Sequence, residues 1–209
     1  DFNGDGFTDL FLAGDPKSYV CLGPGNTTQN NCAPLGNGLT PWKNLYAIYP
    51  GDYNGDGYDD LFLAGAQHSY MCLGPGISNA NNCAQLANGP TPWRDLFTII
   101  PTDINNDGMT DLFMVGTSSN AVVCLGPVIT TQNNCVPLAG ASSAWKGIFD
   151  FYPADYNGDG LTDLFLVGDS NSYMCLGPGI SSQNNCAPLG NGPTPWRTLY
   201  QVAIGDFNG

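Results

Sequence analysis

Oxygen-bearing side chains recur in a fixed nine-residue pattern suited to holding a hard divalent cation. The complete copies are Asp1-Phe-Asn-Gly-Asp-Gly-Phe-Thr-Asp9, Asp52-Tyr-Asn-Gly-Asp-Gly-Tyr-Asp-Asp60, Asp103-Ile-Asn-Asn-Asp-Gly-Met-Thr-Asp111 and Asp155-Tyr-Asn-Gly-Asp-Gly-Leu-Thr-Asp163. Aspartate fills positions 1, 5 and 9 of every copy, asparagine position 3 and glycine position 6. A fifth copy begins at Asp206-Phe-Asn-Gly209. Ca²⁺ takes six to eight oxygens in a flexible shell, whereas Mg²⁺ demands a stricter octahedron and keeps its waters. A short loop can wrap Ca²⁺ if alternate side chains point inward and the backbone turns sharply midway. Glycine at position 6 permits that turn, because it reaches positive φ without a Cβ clash.

The expected ligands are therefore the side chains of Asp1, Asn3, Asp5 and Asp9, of Asp52, Asn54, Asp56 and Asp60, of Asp103, Asn105, Asp107 and Asp111, and of Asp155, Asn157, Asp159 and Asp163. The backbone carbonyls of Phe7, Tyr58, Met109 and Leu161, at position 7, add one oxygen per loop. About four Ca²⁺ ions are expected. Turn chemistry alone is the competing reading, since Asn, Asp and Gly dominate tight turns. Repetition of the closing aspartate in all four copies favours the metal. Asn106 replaces a glycine in the third loop, and asparagine tolerates the left-handed region. An EF-hand is excluded: it needs a glutamate at position 12 and flanking helices. Here position 12 is Leu12, Leu63, Met114 or Leu166, and the chain contains no glutamate.

All 18 acidic residues are aspartates, and only Asp15, Asp95, Asp150 and Asp169 lie outside the loops. The net charge of −13 is thus mostly ligand charge, and four Ca²⁺ would bring it to about −5. With five Lys and Arg in total, a nucleic-acid partner is not expected.

The cysteines fall in four equally spaced pairs: Cys21 and Cys32, Cys72 and Cys83, Cys124 and Cys135, Cys175 and Cys186. Equal spacing predicts a disulfide within each repeat, each closing a loop of about a dozen residues and worth roughly 2–3 kcal/mol in the chain-entropy model. Zinc ligation is poorly supported, because there is no CxxC and His68 is the one histidine. Disulfides persist in oxidising compartments, so an extracellular or cell-surface protein is expected. Asn26-Thr-Thr28 is a glycosylation sequon consistent with that. No apolar run is long enough for a membrane span.

The elements that must carry these loops repeat with them. The loop starts are 51, 51, 52 and 51 residues apart, and Trp42, Trp93, Trp145 and Trp196 keep the same step. Repeats are expected at 1–51, 52–102, 103–154 and 155–205, with 206–209 opening a fifth, and the extra residue in the turn at 116–123. Such periods signal stacked or radial units. Each repeat reads as all-β. A strand such as 45–49 enters the loop, 61–63 leaves it as a buried strand, 69–73 is a third, and 83–93 offers one short strand plus loops. Helices are not expected, since Gly and Pro interrupt every window of a dozen residues. Three or four antiparallel strands per repeat describe a propeller blade.

The motif D-x-N-G-D-G-x-x-D-L, entered from residues such as 203–206 and followed by Leu-Phe-Leu-Ala-Gly, resembles the FG-GAP/VCBS repeat family of integrin-α-like propellers and several propeller lectins. The resemblance implies tandem four-stranded antiparallel blades with Ca²⁺ in a loop between two strands of each, and carries the ligand role to the loop positions named above. A regular disulfide per repeat is not a family requirement.

Each tryptophan precedes a cation: Trp42-Lys43, Trp93-Arg94, Trp145-Lys146, Trp196-Arg197. An aromatic face beside a polar donor suits a sugar; a repeated packing anchor is the alternative. His68 has no equivalent in other repeats and reads as an exposed turn residue. No nucleophile–base set recurs, so no enzyme is expected. The expected function is a structural or adhesive extracellular role, with assembly into a fibre or surface array; a calcium-stabilised lectin is the alternative. Because the sequence begins and ends at the same phase of the motif, further repeats or copies of the same chain are the expected partners, with residues 199–204 as a strand awaiting its sheet.

Overall fold

A computed structural model describes residues 1–24, 32–36, 40–77, 83–86, 91–116, 121–127, 129, 135–137, 145–177, 180 and 186–205. Asn26, residues 206–209 and residues 117–120 of the 116–123 turn lie outside them. The chain divides into two compact units. One is Asp1–Leu96 with Gly126–Asn134, the other Phe97–Leu125 with Cys135–Gly209.

The first unit holds two sheets. One contains β1 (Leu10–Leu12), β2 (Tyr19–Cys21) and β3 (Cys32–Pro34); the other contains β4 (Tyr46–Gly51), β5 (Asp60–Gly65), β6 (Tyr70–Cys72) and β7 (Cys83–Gln85). Both are antiparallel meanders in sequence order. The second unit repeats the four-stranded plan twice, with β8 (Phe97–Thr102), β9 (Asp111–Gly116), β10 (Ala121–Cys124) and β11 (Cys135–Pro137), then β12 (Phe149–Ala154), β13 (Asp163–Gly168), β14 (Tyr173–Cys175) and β15 (Cys186–Pro188).

The sequence pattern explains this order. The Leu-Phe-Leu run has no polar alternation and reads as a central strand buried on both faces, which holds outside the first sheet; in β1 Leu10 and Leu12 are exposed. Every residue of β5, β9 and β13 is buried. Burying one such leucine or phenylalanine contributes about 1.5–3 kcal/mol. The outermost strands β7, β11 and β15 are three residues long and largely exposed. In the first unit Phe2, Leu35, Trp42, Leu61, Leu63, Cys72 and Ile77 form one apolar cluster. In the second, Phe113, Trp145, Leu164 and Leu166 belong to the corresponding one.

Sheets and sequence repeats are out of phase. The expected repeat boundaries at 52, 103 and 155 fall between the first and second strands of a sheet, so each four-stranded sheet draws its first strand from the preceding repeat. The first sheet has three strands among the described residues. Residues 200–205, which hold the leading strand's place in the last repeat, lie in no ladder.

Helices were not expected, yet α1 (Trp42–Leu45), α2 (Trp93–Leu96) and α3 (Trp196–Leu199) are single turns at the tryptophans. Each follows Thr-Pro, and proline at a helix start supplies a preset φ and lacks only an N–H that would be unpaired there. In the third repeat Ala144 stands in the place of that proline, and a turn closed by Ile148 and Phe149 N–H on the Trp145 carbonyl, with a bridge between Lys146 and Phe149, takes the place of the helix. One turn is too short to show a helical period.

A buried clasp ties β2, β6 and β14 to these turns. Ser69 N–H donates to Thr91 Oγ1 at 2.6 Å while Ser69 Oγ–H donates to the Thr91 carbonyl at 2.7 Å. Ser18 with Thr40, and Ser172 with Thr194, repeat it.

Candidate metal centre

The second, third and fourth acidic loops each join a strand such as that ending at Gly51 to a buried strand such as that starting at Asp60, and the first leads into β1. The first aspartate is fixed by amides of its own loop. Asp52 Oδ1 accepts the N–H groups of Gly55 at 2.7 Å and Asp56 at 3.2 Å, and Oδ2 accepts that of Gly57 at 2.9 Å. Asp1 and Asp155 repeat all three bonds, and Asp103 those from Asp107 and Gly108. Amide donors favour the charged carboxylate. The Asp155 carboxyl is accordingly held below its ordinary range, first by Gly160 N–H, with Gly158, Asp159 and Asn157 adding to it.

The turn that aims these amides requires the left-handed region. Gly4, Gly55 and Gly158 have φ of 72°, 76° and 76°, and Asn106 takes the same place at 59°. The expectation for Asn106 therefore holds. Glycines at position 6 lie at 84–86°.

Positions 3 and 5 form a second pair. Asn54 Oδ1 accepts Asp56 N–H at 2.9 Å, and its Nδ2 donates to Asp56 Oδ2 at 2.9 Å. Asn3 with Asp5, Asn105 with Asp107, and Asn157 with Asp159 are alike. Asp56 Oδ1 also accepts the N–H of Tyr58, so the position-7 residue is tied to position 5 through its amide. Phe7, Met109 and Leu161 are tied likewise.

The closing aspartate is different, and spacing gave no hint of it. Asp60, Asp111 and Asp163 are fully buried and Asp9 nearly so. Asp60 Oδ2 accepts Tyr53 N–H at 3.0 Å and Oδ1 accepts Gly74 N–H at 2.7 Å. Asp9 takes Phe2 and Gly23, and Asp163 takes Tyr156 and Gly177, in the same way; Asp111 accepts Ile104 N–H at 2.9 Å. This carboxylate pins the start of its loop to the turn after the third strand. Burial pushes the Asp60 carboxyl up to about 6, with Asp56 and Asp52 adding to the rise against the two amides. Each carboxylate oxygen has two lone pairs, so one per oxygen remains for a cation.

Among the described residues no three acidic side chains converge at metal-holding distance. The donor set nonetheless fits calcium chemically: every group is a hard oxygen, and the first and last aspartates are oriented by backbone amides.

The disulfides are Cys21–Cys32, Cys72–Cys83, Cys124–Cys135 and Cys175–Cys186, the expected local pairs. In each, the cysteines face one another across the third and fourth strands, as with Cys72 opposite Cys83.

The tryptophans are not a sugar platform. Trp42, Trp93 and Trp145 are 7%, 3% and 4% exposed. Trp42 stacks on Phe11 at 5.7 Å between centroids, Trp93 lies 5.7 Å from Phe62, and Trp145 stacks on Phe151 at 6.4 Å. Trp196 packs 5.8 Å from Phe165 and is half-buried. They are packing anchors, each indole lying against the aromatic ring of a neighbouring strand. Two of the cations after them cap the turn of the preceding repeat: Arg94 Nη1 donates to the carbonyls of Asn44 and Leu45, both at 3.0 Å, and Arg197 Nη1 donates to that of Gly147. His68 is half-buried rather than exposed, with Nδ1 3.2 Å from Gln85 Nε2.

Four-stranded meanders with an acidic loop between first and second strands define a propeller-like repeat protein. Residues 1–63 match the model of the FG-GAP-like repeat family. The chain is also similar in fold to a lectin of Agrocybe aegerita whose structure was described for specific recognition of non-reducing terminal N-acetylglucosamine. The TM-score is 0.65 at 15% identity, covering 90% of this chain and 50% of the lectin chain. This chain thus spans about half the length of the structure it matches. The comparison with curated proteins returns no match. No helix among the described residues is long and apolar enough to cross a membrane.

Proposed function

We propose that this is an extracellular, calcium-stabilised repeat protein with an adhesive role, binding about one Ca²⁺ per complete loop and about four in all. The observation that carries it is the leading aspartate of each loop, held by loop amides beside an asparagine and two further aspartates. That arrangement fixes the leading carboxylate and gathers further hard oxygens within one nine-residue loop. Four disulfides support an oxidising compartment. Copies of the chain, or further repeats, are its structural partners in a fibre or array. Calcium titration by calorimetry tests the central point. About four sites and a melting temperature that falls in chelator are expected; no heat and an unchanged melting curve overturn it.

A second reading, carbohydrate binding as the adhesive activity, is favoured by the fold likeness to the lectin. A glycan array probed with the calcium-loaded protein tests it, and a blank array leaves the structural role alone.

A further inference from the structure

A cleft of about 430 Å³ opens in the first unit, where the end of α1, the start of β4, the β5–β6 turn and α2 meet. Asn44, Tyr46, Gln67, His68, Tyr70 and Arg94 supply its polar and aromatic lining. Its size suits a single sugar ring, and a concave site with a few placed polar groups is what small-ligand recognition requires.

The charge of this cleft distinguishes it from the same place in the last repeat. There Arg197 donates Nη1 to the Gly147 carbonyl at 2.6 Å, and its guanidinium lies 3.3 Å from Asp150 and 3.5 Å from Asp169. Where Asp150 and Asp169 stand, the earlier repeat has Ala47 and Ala66. Arg94 keeps the carbonyl contacts but meets a carboxylate only at Asp95, 3.1 Å from Nε and 58% exposed. Asp15 accepts Asn44 Nδ2 at 3.0 Å and does not line the cleft. No carboxylate lines the cleft, so the guanidinium is its dominant charge.

The remaining groups suit hydroxyls. Gln85 Nε2 lies 3.2 Å from His68 Nδ1, and in the tautomer that accepts this bond Nε2 is the ring's donor. Tyr46 and Tyr70 meet edge to face with centroids 5.7 Å apart, giving an aromatic wall for the C–H face of a pyranose and two phenolic hydroxyls. A cation, neutral donors and an aromatic wall together favour a ring that is both polyhydroxylated and anionic.

We propose that this cleft binds one carboxylate-bearing sugar residue of the uronic-acid kind, with Arg94 as its charge partner and the Tyr46–Tyr70 pair as its platform. The proposal rests on the carbohydrate reading above and adds the sugar's charge and place.

The test is calorimetric titration of the full calcium-loaded chain with methyl β-glucuronide, methyl β-glucoside, N-acetylglucosamine and acetate. The glucuronide is expected to bind at least tenfold more tightly than the glucoside, with acetate failing to compete in the same range. Ala66→Asp installs the acid that the first and last repeats carry at this place, as Asp15 and Asp169, so the fold should accept it. It is expected to weaken the glucuronide at least tenfold with an unchanged melting temperature. Arg94→Gln should do the same to binding, though it also removes a cap on α1. Neutral sugars that bind as well as the glucuronide, indifferent to Ala66→Asp, overturn this proposal and leave the carbohydrate reading standing. Acetate competing as well as the glucuronide overturns it in favour of a plain anion site. Binding to none of these, together with a blank glycan array, removes both readings.

Discussion

Gly4 of the first loop lies against the ring of Tyr58 in the second: a Cβ built on Gly4 would stand 2.4 Å from Tyr58 Cε1. Neighbouring acidic loops in the first unit therefore lean on one another, and the glycine there answers to two constraints, positive φ and close approach.

Comparing two glycines separates these constraints. Gly158 has φ of 76° against 72° for Gly4, but a Cβ on it would meet nothing within 4 Å. Alanine at either site carries the left-handed backbone cost of about 1–2 kcal/mol. Gly4→Ala should cost about 1–3 kcal/mol more, from overpacking against the ring. Denaturant titration of both variants checks this. Combining Gly4→Ala with Tyr58→Ala should remove the excess; equal losses in the two single variants would contradict the contact.

Chelation should lower the melting temperature. Ligand at 100 times its dissociation constant stabilises a site by about 2.7 kcal/mol, and that linkage disappears with the ion. Asp56→Ala should weaken its own site and leave three others, giving a calorimetric stoichiometry one lower than wild type.

Asp60 and Asp56 should behave oppositely once calcium is gone. Asp60→Asn turns an amide N–H₂ toward the backbone N–H of Gly74 or Tyr53, leaving a buried donor unpaired at a cost of about 1–3 kcal/mol. Asp56 is exposed, and Asp56→Asn in chelator should stay within about 0.5 kcal/mol. Urea unfolding in chelator measures both. Equal effects would mean that the closing aspartate acts only through the metal.

How much of this was readable from the residues depends on how local each feature is. The loops were legible because their oxygens and turning glycines lie within nine residues, and even Asn106 could be placed in the left-handed region. The disulfides followed from equal spacing. The second role of Asp60 was hidden, because its two amides lie seven residues before it and fourteen after. The helical turns at the tryptophans were too short for any period to reveal. Direction was hidden too: Trp-Arg reads the same whether the indole faces solvent or, as with Trp93, the core. The Arg94 cleft joins residues 44 to 94, and only the strand order assembles it.

Trp93→Ala should therefore act on stability and not on sugar. Removing a buried tryptophan costs about 3–5 kcal/mol. Tryptophan fluorescence of the wild-type chain should not move when a saccharide is added. A quench or blue shift on sugar addition would return the indoles to the binding surface.

The disulfides bear on how the chain behaves under load. Each joins cysteines eleven residues apart across the outermost pair of strands. An extended chain spans at most about 3.3–3.6 Å per residue, so each bond locks away roughly 40 Å of slack per repeat. Pulled from its ends, the protein can lengthen only through the strands and acidic loops outside the bonds. A tether built this way stays short after a repeat yields, which suits a molecule that holds two surfaces together against shear.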